Sequence, residues 1–556
     1  MGNDKQNTSN DSSEGVDGVP APEGPANLID TDYQIGQDNY TGRVGGMNLD
    51  LHGMVFGFSA IVILFFMVFT LAFQDQAEAV FQGVFDFLTQ NLSWAYLLGA
   101  NIFLVVAVVL IFTPLAKVRL GGANATPDFT YRGWFAMLFA AGMGIGLMFY
   151  AVSEPLTHFD TAFGGTTVEE DGTRSDWAPL GAAEGDEAAA ERLSMAATIY
   201  HWGLHPWAIY AIVALALALF SFNKGLPLTI RSIFYPILGE KVWGWPGHII
   251  DVVAVFATLF GLTTSLGIGA QQASAGLSDL FGLPEGDTTM VLLVLAITAV
   301  ALVSILAGVD KGVRRLSEIN LGFAALLMFF VIAVGPTLAI FTGFFQNLGS
   351  YAANLPALMM PFGREDANFS QGWTAFYWSW WIAWSPFVGM FIARVSRGRT
   401  VREFLIAVLL VPSTVSILWM TTFGGTALDQ YLNKGFEAAM DADLELQLFR
   451  VLGELPLAEI TSFIAICLVI VFFITSSDSG SLVLDTITSG GKVDAPKPQR
   501  IFWALIEGFL AIALLLGGGL VDLQSMAVSM GLPITLILLA GCWAIIQGLR
   551  SEPSAN

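Results

Sequence analysis

Five tryptophans, Trp373, Trp378, Trp380, Trp381 and Trp384, fall within twelve residues and make up a third of the fifteen in the chain. They lie in the run WTAFYWSWWIAWSPFVGMF, inside an apolar stretch, whereas tryptophan in membrane proteins concentrates at the water interface. On a helix, Trp373, Tyr377, Trp380 and Trp384 follow i, i+4, i+7, i+11 and share one face, with Trp381 beside it. Rings arranged this way either pack against neighbouring helices or enclose a quaternary ammonium group, which donates no hydrogen bond and is held by ring faces. Trp202, Trp207 and Tyr210, in HWGLHPWAIY, form a second aromatic set.

Composition fixes what must position these rings. A chain of 556 residues that is 54% hydrophobic and 13% charged, with mean hydropathy +0.65, is a polytopic membrane protein whose partner is the lipid bilayer. At roughly 20 apolar residues per crossing, about twelve stretches are long enough to span. They lie near 54–74, 94–116, 133–153, 196–222, 248–275, 290–309, 319–345, 373–394, 403–424, 459–484, 501–518 and 525–548. The expected organisation is a tail over 1–48, one spanning domain over 49–549, and a short C-terminal tail over 550–556. Placing both termini in the cytoplasm puts nineteen Lys and Arg on that side and five outside, Arg174, Arg192, Arg364, Lys434 and Arg450. That split follows the positive-inside rule and predicts a multi-pass cell-membrane protein with cytoplasmic N- and C-termini.

The net charge of −22 resides in the water-facing segments. Acids crowd the tail 1–48, the loop after the third span and the loop 425–457. Acidity on both faces fits surfaces adapted to high salt, where screening removes self-repulsion, and predicts a halophilic source. The polar tail lacks an apolar signal region and is expected to be disordered. Cys467 and Cys542 both lie in spans, so neither a disulfide framework nor a zinc site is expected. No GxxxxGK[ST] loop occurs, which argues against ATP-driven chemistry, and net acidity argues against a nucleic-acid partner. His201 and His205 are i, i+4 without an evident third metal ligand, and Asp478 is expected to be a structural acid satisfied by neighbouring hydroxyls.

Two spans read as interrupted helices. The third, AAGMGIGLMFYAVSEP, holds Gly142, Gly144 and Gly146 in five residues, and the eighth, WSPFVGMF, carries Pro386. Breaks are tolerable at mid-membrane where the freed backbone faces protein or a cavity. Each is the first helix of a five-span block, 3–7 and 8–12, the placement expected of a binding site at a repeat interface.

The segments GMGIGLMFY, HWGLHPWAIY, YWSWWIAWSPFVGMFIARVSRGRTVREF and FFITSSDSGS closely resemble signature segments of the betaine/choline/carnitine transporter (BCCT) family, and the resemblance extends over 48–548. It implies an all-α membrane fold of about twelve helices with two inverted five-helix repeats of the sodium/amino-acid symporter type, commonly a homotrimer. The implied activity is secondary active uptake of a quaternary-ammonium solute by alternating access, without enzymatic chemistry or a cofactor. Trp202, Trp207, Tyr210 and Trp381 match the family's aromatic box, Trp380 and Trp384 its main cage, and Phe391 a ring on the inner pathway. Backbone donors at Gly142, Gly144 and Gly146 suit the carboxylate of a zwitterion.

Choline-carrying relatives place an acid where Gly146 stands here. With Glu154 expected near the membrane edge, the cage reads as neutral and suited to glycine betaine, taken up for osmoprotection. The alternative is a proton-coupled or sodium-independent carrier of choline, carnitine or ectoine. In sodium-coupled relatives one Na⁺ is held at positions matching Ala140, Met143, Phe472, Thr475 and Ser476, and no basic residue lies between Arg450 and Lys492 to replace it. Thr258, Thr264 and Ser265 fall in the span of a second Na⁺ site, although Leu262 stands where a hydroxyl is expected.

Overall fold

The computed structural model describes residues 20–165, 183–307, 313–364, 366–367 and 369–553. A hairpin of β1 (Asn39–Val44) and β2 (Met47–His52) leads into α1 (Gly53–Ala72), α2 (Gln74–Phe112), α3 (Tyr131–Gly142), α4 (Ile145–Gly164), α5 (Glu187–Trp202) and α6 (Leu204–Ala218). The short α7 (Tyr235–Leu238) precedes α8 (Trp245–Phe281), α9 (Asp287–Ala307) and α10 (Val313–Val334). The second half comprises α11 (Thr337–Leu358), α12 (Ala375–Val395), α13 (Val401–Lys434), α14 (Leu444–Gly453), α15 (Ala458–Thr488), α16 (Lys497–Gly517) and α17 (Leu520–Arg550).

Among the described residues, ten helices are long and apolar enough to cross a bilayer, or eleven when α3 and α4, bent by 61°, are one span. The remaining predicted span, 373–394, is α12, whose 21 residues suffice in length. Its Trp, Tyr, Ser and Pro lower its apolarity, and seventeen of its residues are buried among other helices. The predicted seventh span, 319–345, is corrected: α10 stops at Val334, where Gly335 and Pro336 end it, and α11 starts anew at Thr337.

The two five-span blocks pack reciprocally. Matching α3–α4 with α12, α5–α6 with α13, α8 with α15, α9 with α16 and α10 with α17 maps several contacts of one block onto those of the other. Thus α6 lies on α12 as α13 lies on α4, and α17 lies on α8 as α10 lies on α15; α8 meets α15, and α9 meets α16. Lipid tails are as apolar as leucine, so such packing depends on close approach. Gly389 of α12 illustrates it, since a Cβ there would come within 2.6 Å of Val213.

Only one of the two predicted interruptions is present. The third span breaks at Met143 and Gly144, both in extended conformation. The eighth does not break, because α12 runs straight through Pro386. Pro386 cannot donate to the Ile382 carbonyl, but the Ser385 hydroxyl does so instead at 2.7 Å, which satisfies the freed acceptor inside the membrane.

The disorder expected of the tail also needs correction from residue 20 onward; residues 1–19 lie outside the described residues. The β1–β2 hairpin is paired from Asn39↔His52 to Val44↔Met47. Preceding residues dock on the bundle: Glu23 N donates to Gly121 O at 2.8 Å, Tyr33 stacks on Trp243 at 4.2 Å, and Arg397 pairs with Glu23 at 2.6 Å. Backbone pairing and ring burial offset the ordering entropy that polar composition alone would leave uncompensated.

Candidate functional site: an aromatic chamber at the broken helix

The break between α3 and α4 opens onto a small chamber of about 40 Å³. Residues 141–147 form one wall, Trp202 and Tyr210 a second, Trp380, Trp381 and Trp384 a third, and Ser265 closes it. Four elements therefore converge: the broken span, the α5–α6 pair, α8 and α12. The rings meet edge to face. Trp202 and Trp381 have centroids 5.2 Å apart at 82°, Tyr210 and Trp381 5.3 Å apart at 65°, and Trp202 and Trp380 6.4 Å apart at 88°. This arrangement turns ring faces toward a common volume, the geometry that attracts a methylated ammonium.

Hydrogen bonds lock the rings. Trp380 Nε1 donates to Ser265 Oγ at 3.2 Å and Gly261 O at 3.3 Å, Trp381 Nε1 donates to His201 O at 3.1 Å, and Trp202 Nε1 donates to Glu154 Oε2 at 2.8 Å. Trp384 Nε1 and the Tyr210 hydroxyl have no hydrogen-bond partner among the described residues. Gly146 is required by sterics, because a Cβ there would lie 2.7 Å from Trp380 and 2.8 Å from Trp202. The first N–H groups of α4 lack intrahelical partners and border the chamber, a combination that favours an anionic group.

Of the predicted cage residues, Trp202, Tyr210, Trp380, Trp381, Trp384, Gly142, Gly144 and Gly146 all border the chamber. Trp207 does not: it stands behind, 5.5 Å from Tyr210 and 6.3 Å from Trp381, with its ring edge against Gly142. Phe391 lies further along α12, in a second, larger cavity of about 720 Å³. Trp384, Ala141 and Met143 line both spaces. The larger cavity extends to Phe129 and Ser317, toward the end of the bundle where α3 and α10 begin. Trp373 and Trp378 pack elsewhere, Trp373 on Tyr377 and His158, and Trp378 on Tyr200 and His205.

Ala140 and Met143 from the α3 side and Phe472, Thr475 and Ser476 from α15 all line the larger cavity. The Thr475 hydroxyl donates back to Val471 O at 2.9 Å, so its oxygen can still accept or coordinate. The second hydroxyl set diverges. Thr264 Oγ1 is committed to Phe260 O at 2.8 Å and Leu523 O at 2.7 Å, Ser265 faces the chamber, and Thr258 is buried with no partner for its hydroxyl. Leu262 packs against Gly480 of α15 instead.

Two acids have partners that their sequence reading did not give them. Glu154 is fully buried on α4 directly behind Trp202. Tyr377 donates to its Oε2 at 2.6 Å, His201 Nδ1 lies 2.6 Å from Oε1, and His158 Nε2 lies 3.2 Å from Oε1. The long α4 carries it inward, which local hydropathy does not reveal. His201 is thus a partner of Glu154, while His205 pairs with Asn101 at 3.0 Å; the two imidazoles share no ligand. Asp478 does accept from the Ser304 hydroxyl at 2.8 Å but is chiefly paired with Arg500 of α16. Glu507, also on α16 and fully buried, accepts from Ser477 at 2.7 Å.

A bundle of membrane-spanning helices with an aromatic chamber at a broken span, opening toward one end, has the construction of a secondary transporter. The comparisons agree and are more specific. The chain belongs to the betaine/carnitine/choline transporter family, whose profile matches residues 54–554. It is 63% identical over 536 residues to a glycine betaine/proline/choline transporter of Vibrio parahaemolyticus, covering 96% of this chain and 97% of that one. It is 49% identical over 530 residues to glycine betaine transporter 1 of the same organism, covering 94% and 97%. A glycine betaine transporter of Bacillus subtilis is 42% identical over 481 residues, covering 86% and 90%. The protein is a multi-pass membrane transporter, not an enzyme.

Proposed function

We propose that this protein takes up glycine betaine by Na⁺ symport and alternating access, as an osmoprotectant carrier in the cell membrane with both termini cytoplasmic. The observation that carries the reading is the chamber itself. Ring faces from two sides suit the trimethylammonium, and the first N–H groups of α4 suit the carboxylate, so a zwitterion of this length matches both ends.

Sodium coupling is supported by the neutral oxygens assembled where α3 meets α15. Ala140, Met143 and Phe472 supply carbonyls and Thr475 and Ser476 supply hydroxyls, a donor set suited to a monovalent cation. Closing α15 onto the break would complete that set and shape the chamber together, coupling ion to solute. The divergence of Thr258, Thr264 and Ser265 favours one ion over two. The 19:5 distribution of basic residues supports cytoplasmic termini, so the larger cavity faces inward. Its acidic exterior, at −22 overall, supports a high-salt source. A homotrimer is the family expectation.

The glycine betaine/proline/choline transporter of Vibrio parahaemolyticus adds proline and choline to betaine, so the solute range is a matter for direct test. Uptake of labelled glycine betaine into proteoliposomes, with and without an inward Na⁺ gradient, decides the mechanism. Accumulation only with the gradient is expected; equal accumulation without sodium would overturn the symport reading.

A further inference from the structure

We propose that Glu154 is a specificity-determining positioning residue: it sets a negative charge one ring behind the chamber and so admits quaternary ammonium ions that carry no carboxylate of their own, choline being the simplest. The inference rests on the chamber being the solute site.

Glu154 sits eight residues beyond Gly146 on α4 and is fully buried. Its Oε2 accepts from the Trp202 indole at 2.8 Å and from the Tyr377 hydroxyl at 2.6 Å. Its Oε1 lies 2.6 Å from His201 Nδ1 and 3.2 Å from His158 Nε2, and His201 Nε2 lies 2.9 Å from Thr374 Oγ1. When the Thr374 hydroxyl donates to Nε2, the proton of a neutral His201 ring is on Nδ1 and points at the carboxylate. Four donors then face two oxygens, the environment of an ionised acid that only accepts. With both imidazoles neutral, the cluster keeps one net negative charge.

Trp202 connects this charge to the solute. Its N–H is on Glu154, while its far edge is the atom that a Cβ on Gly146 would meet at 2.8 Å. The carboxylate is therefore separated from the chamber by the width of one indole, with no water layer required between. At that range and in a weakly screening interior, a full charge acts appreciably on a bound cation. Choline feels it as a single positive charge. For a betaine, attraction of the ammonium is partly offset by repulsion of the carboxylate, so the same charge matters less. Gly146 therefore leaves the chamber wall neutral without leaving the site free of negative field.

The test uses the full chain in lipid nanodiscs, with tryptophan fluorescence titrated by glycine betaine and separately by choline. Glu154→Gln is expected to weaken choline about tenfold more than glycine betaine. Glu154→Asp, which keeps the charge on a shorter arm, should weaken both and preserve their wild-type ratio. Tyr377→Phe, which removes a donor but not the charge, should also preserve the ratio. An equal loss for both solutes in Glu154→Gln, or a ratio shifted as far by Glu154→Asp, would overturn the inference and leave a purely structural acid. Wild-type protein that binds betaine but not choline would overturn it too, whereas wild-type protein that binds neither would instead overturn the proposed function.

Discussion

The two ends of the aromatic chamber are built in opposite ways. Toward the α3 and α10 starts, the chamber meets a cavity of about 720 Å³ lined by Phe387, Phe391 and the small residues of α3, with Thr475, Ser476 and Ser479 on its α15 side. Toward the far end, Glu154, His158, His201, Thr374 and Tyr377 from α4, α5 and the start of α12 are bonded into a continuous buried network. One end is held apart by shape, the other held shut by directional bonds. The difference teaches that the far side is held by directional bonds, and that two of its members, Glu154 and His201, also hold the chamber rings Trp202 and Trp381.

The largest effect is expected from removing the rings themselves. Trp380→Leu with Trp384→Leu should weaken glycine betaine binding a hundredfold or more, at up to about 2 kcal/mol per desolvated cation–π contact; titration in detergent measures it. Retained affinity would move the site away from α12. Next, Gly146→Leu should weaken binding by up to about a hundredfold, since a Cβ already meets Trp380 at 2.7 Å and overpacking costs about 1–3 kcal/mol. A Leu variant that binds normally would show the rings free to shift. On the open side, Thr475→Ala with Ser476→Ala should raise the half-saturating Na⁺ concentration about tenfold, roughly 1.4 kcal/mol, while sodium-independent betaine binding holds. Trp373→Phe, whose ring packs on Tyr377 and not into the chamber, should change betaine affinity less than twofold, a loss of well under 1 kcal/mol.

Asp478→Asn separates structural from functional acids. It leaves Arg500 buried without its counter-charge, a loss of about 3–5 kcal/mol, so thermal stability in detergent should fall while betaine affinity in the surviving protein is kept. An affinity change without destabilisation would place Asp478 in the transport cycle.

Much of this was legible in the sequence because it depends on local rules. Ten or eleven crossings follow from apolar length, the break from three glycines in five residues, and Trp380 and Trp384 from an aromatic stripe at helical spacing. What escaped reading depends on neighbours that sequence does not place. Pro386 looked like a break, but Ser385 supplies the missing hydrogen bond from the adjacent position. Glu154 read as peripheral because its partners come from segments 47 and 223 residues away. The same holds for Asp478, whose cation arrives on the next helix. Residues 20–48 read as disordered from polarity, yet they are held by a hairpin and by docking contacts to distant loops.

The most direct test of the account is a structure of the protein with glycine betaine bound. The account predicts the trimethylammonium between Trp202, Trp380, Trp381 and Trp384, with the carboxylate at the first N–H groups of α4. A betaine lodged instead in the larger cavity, with the chamber rings collapsed on one another, would contradict it.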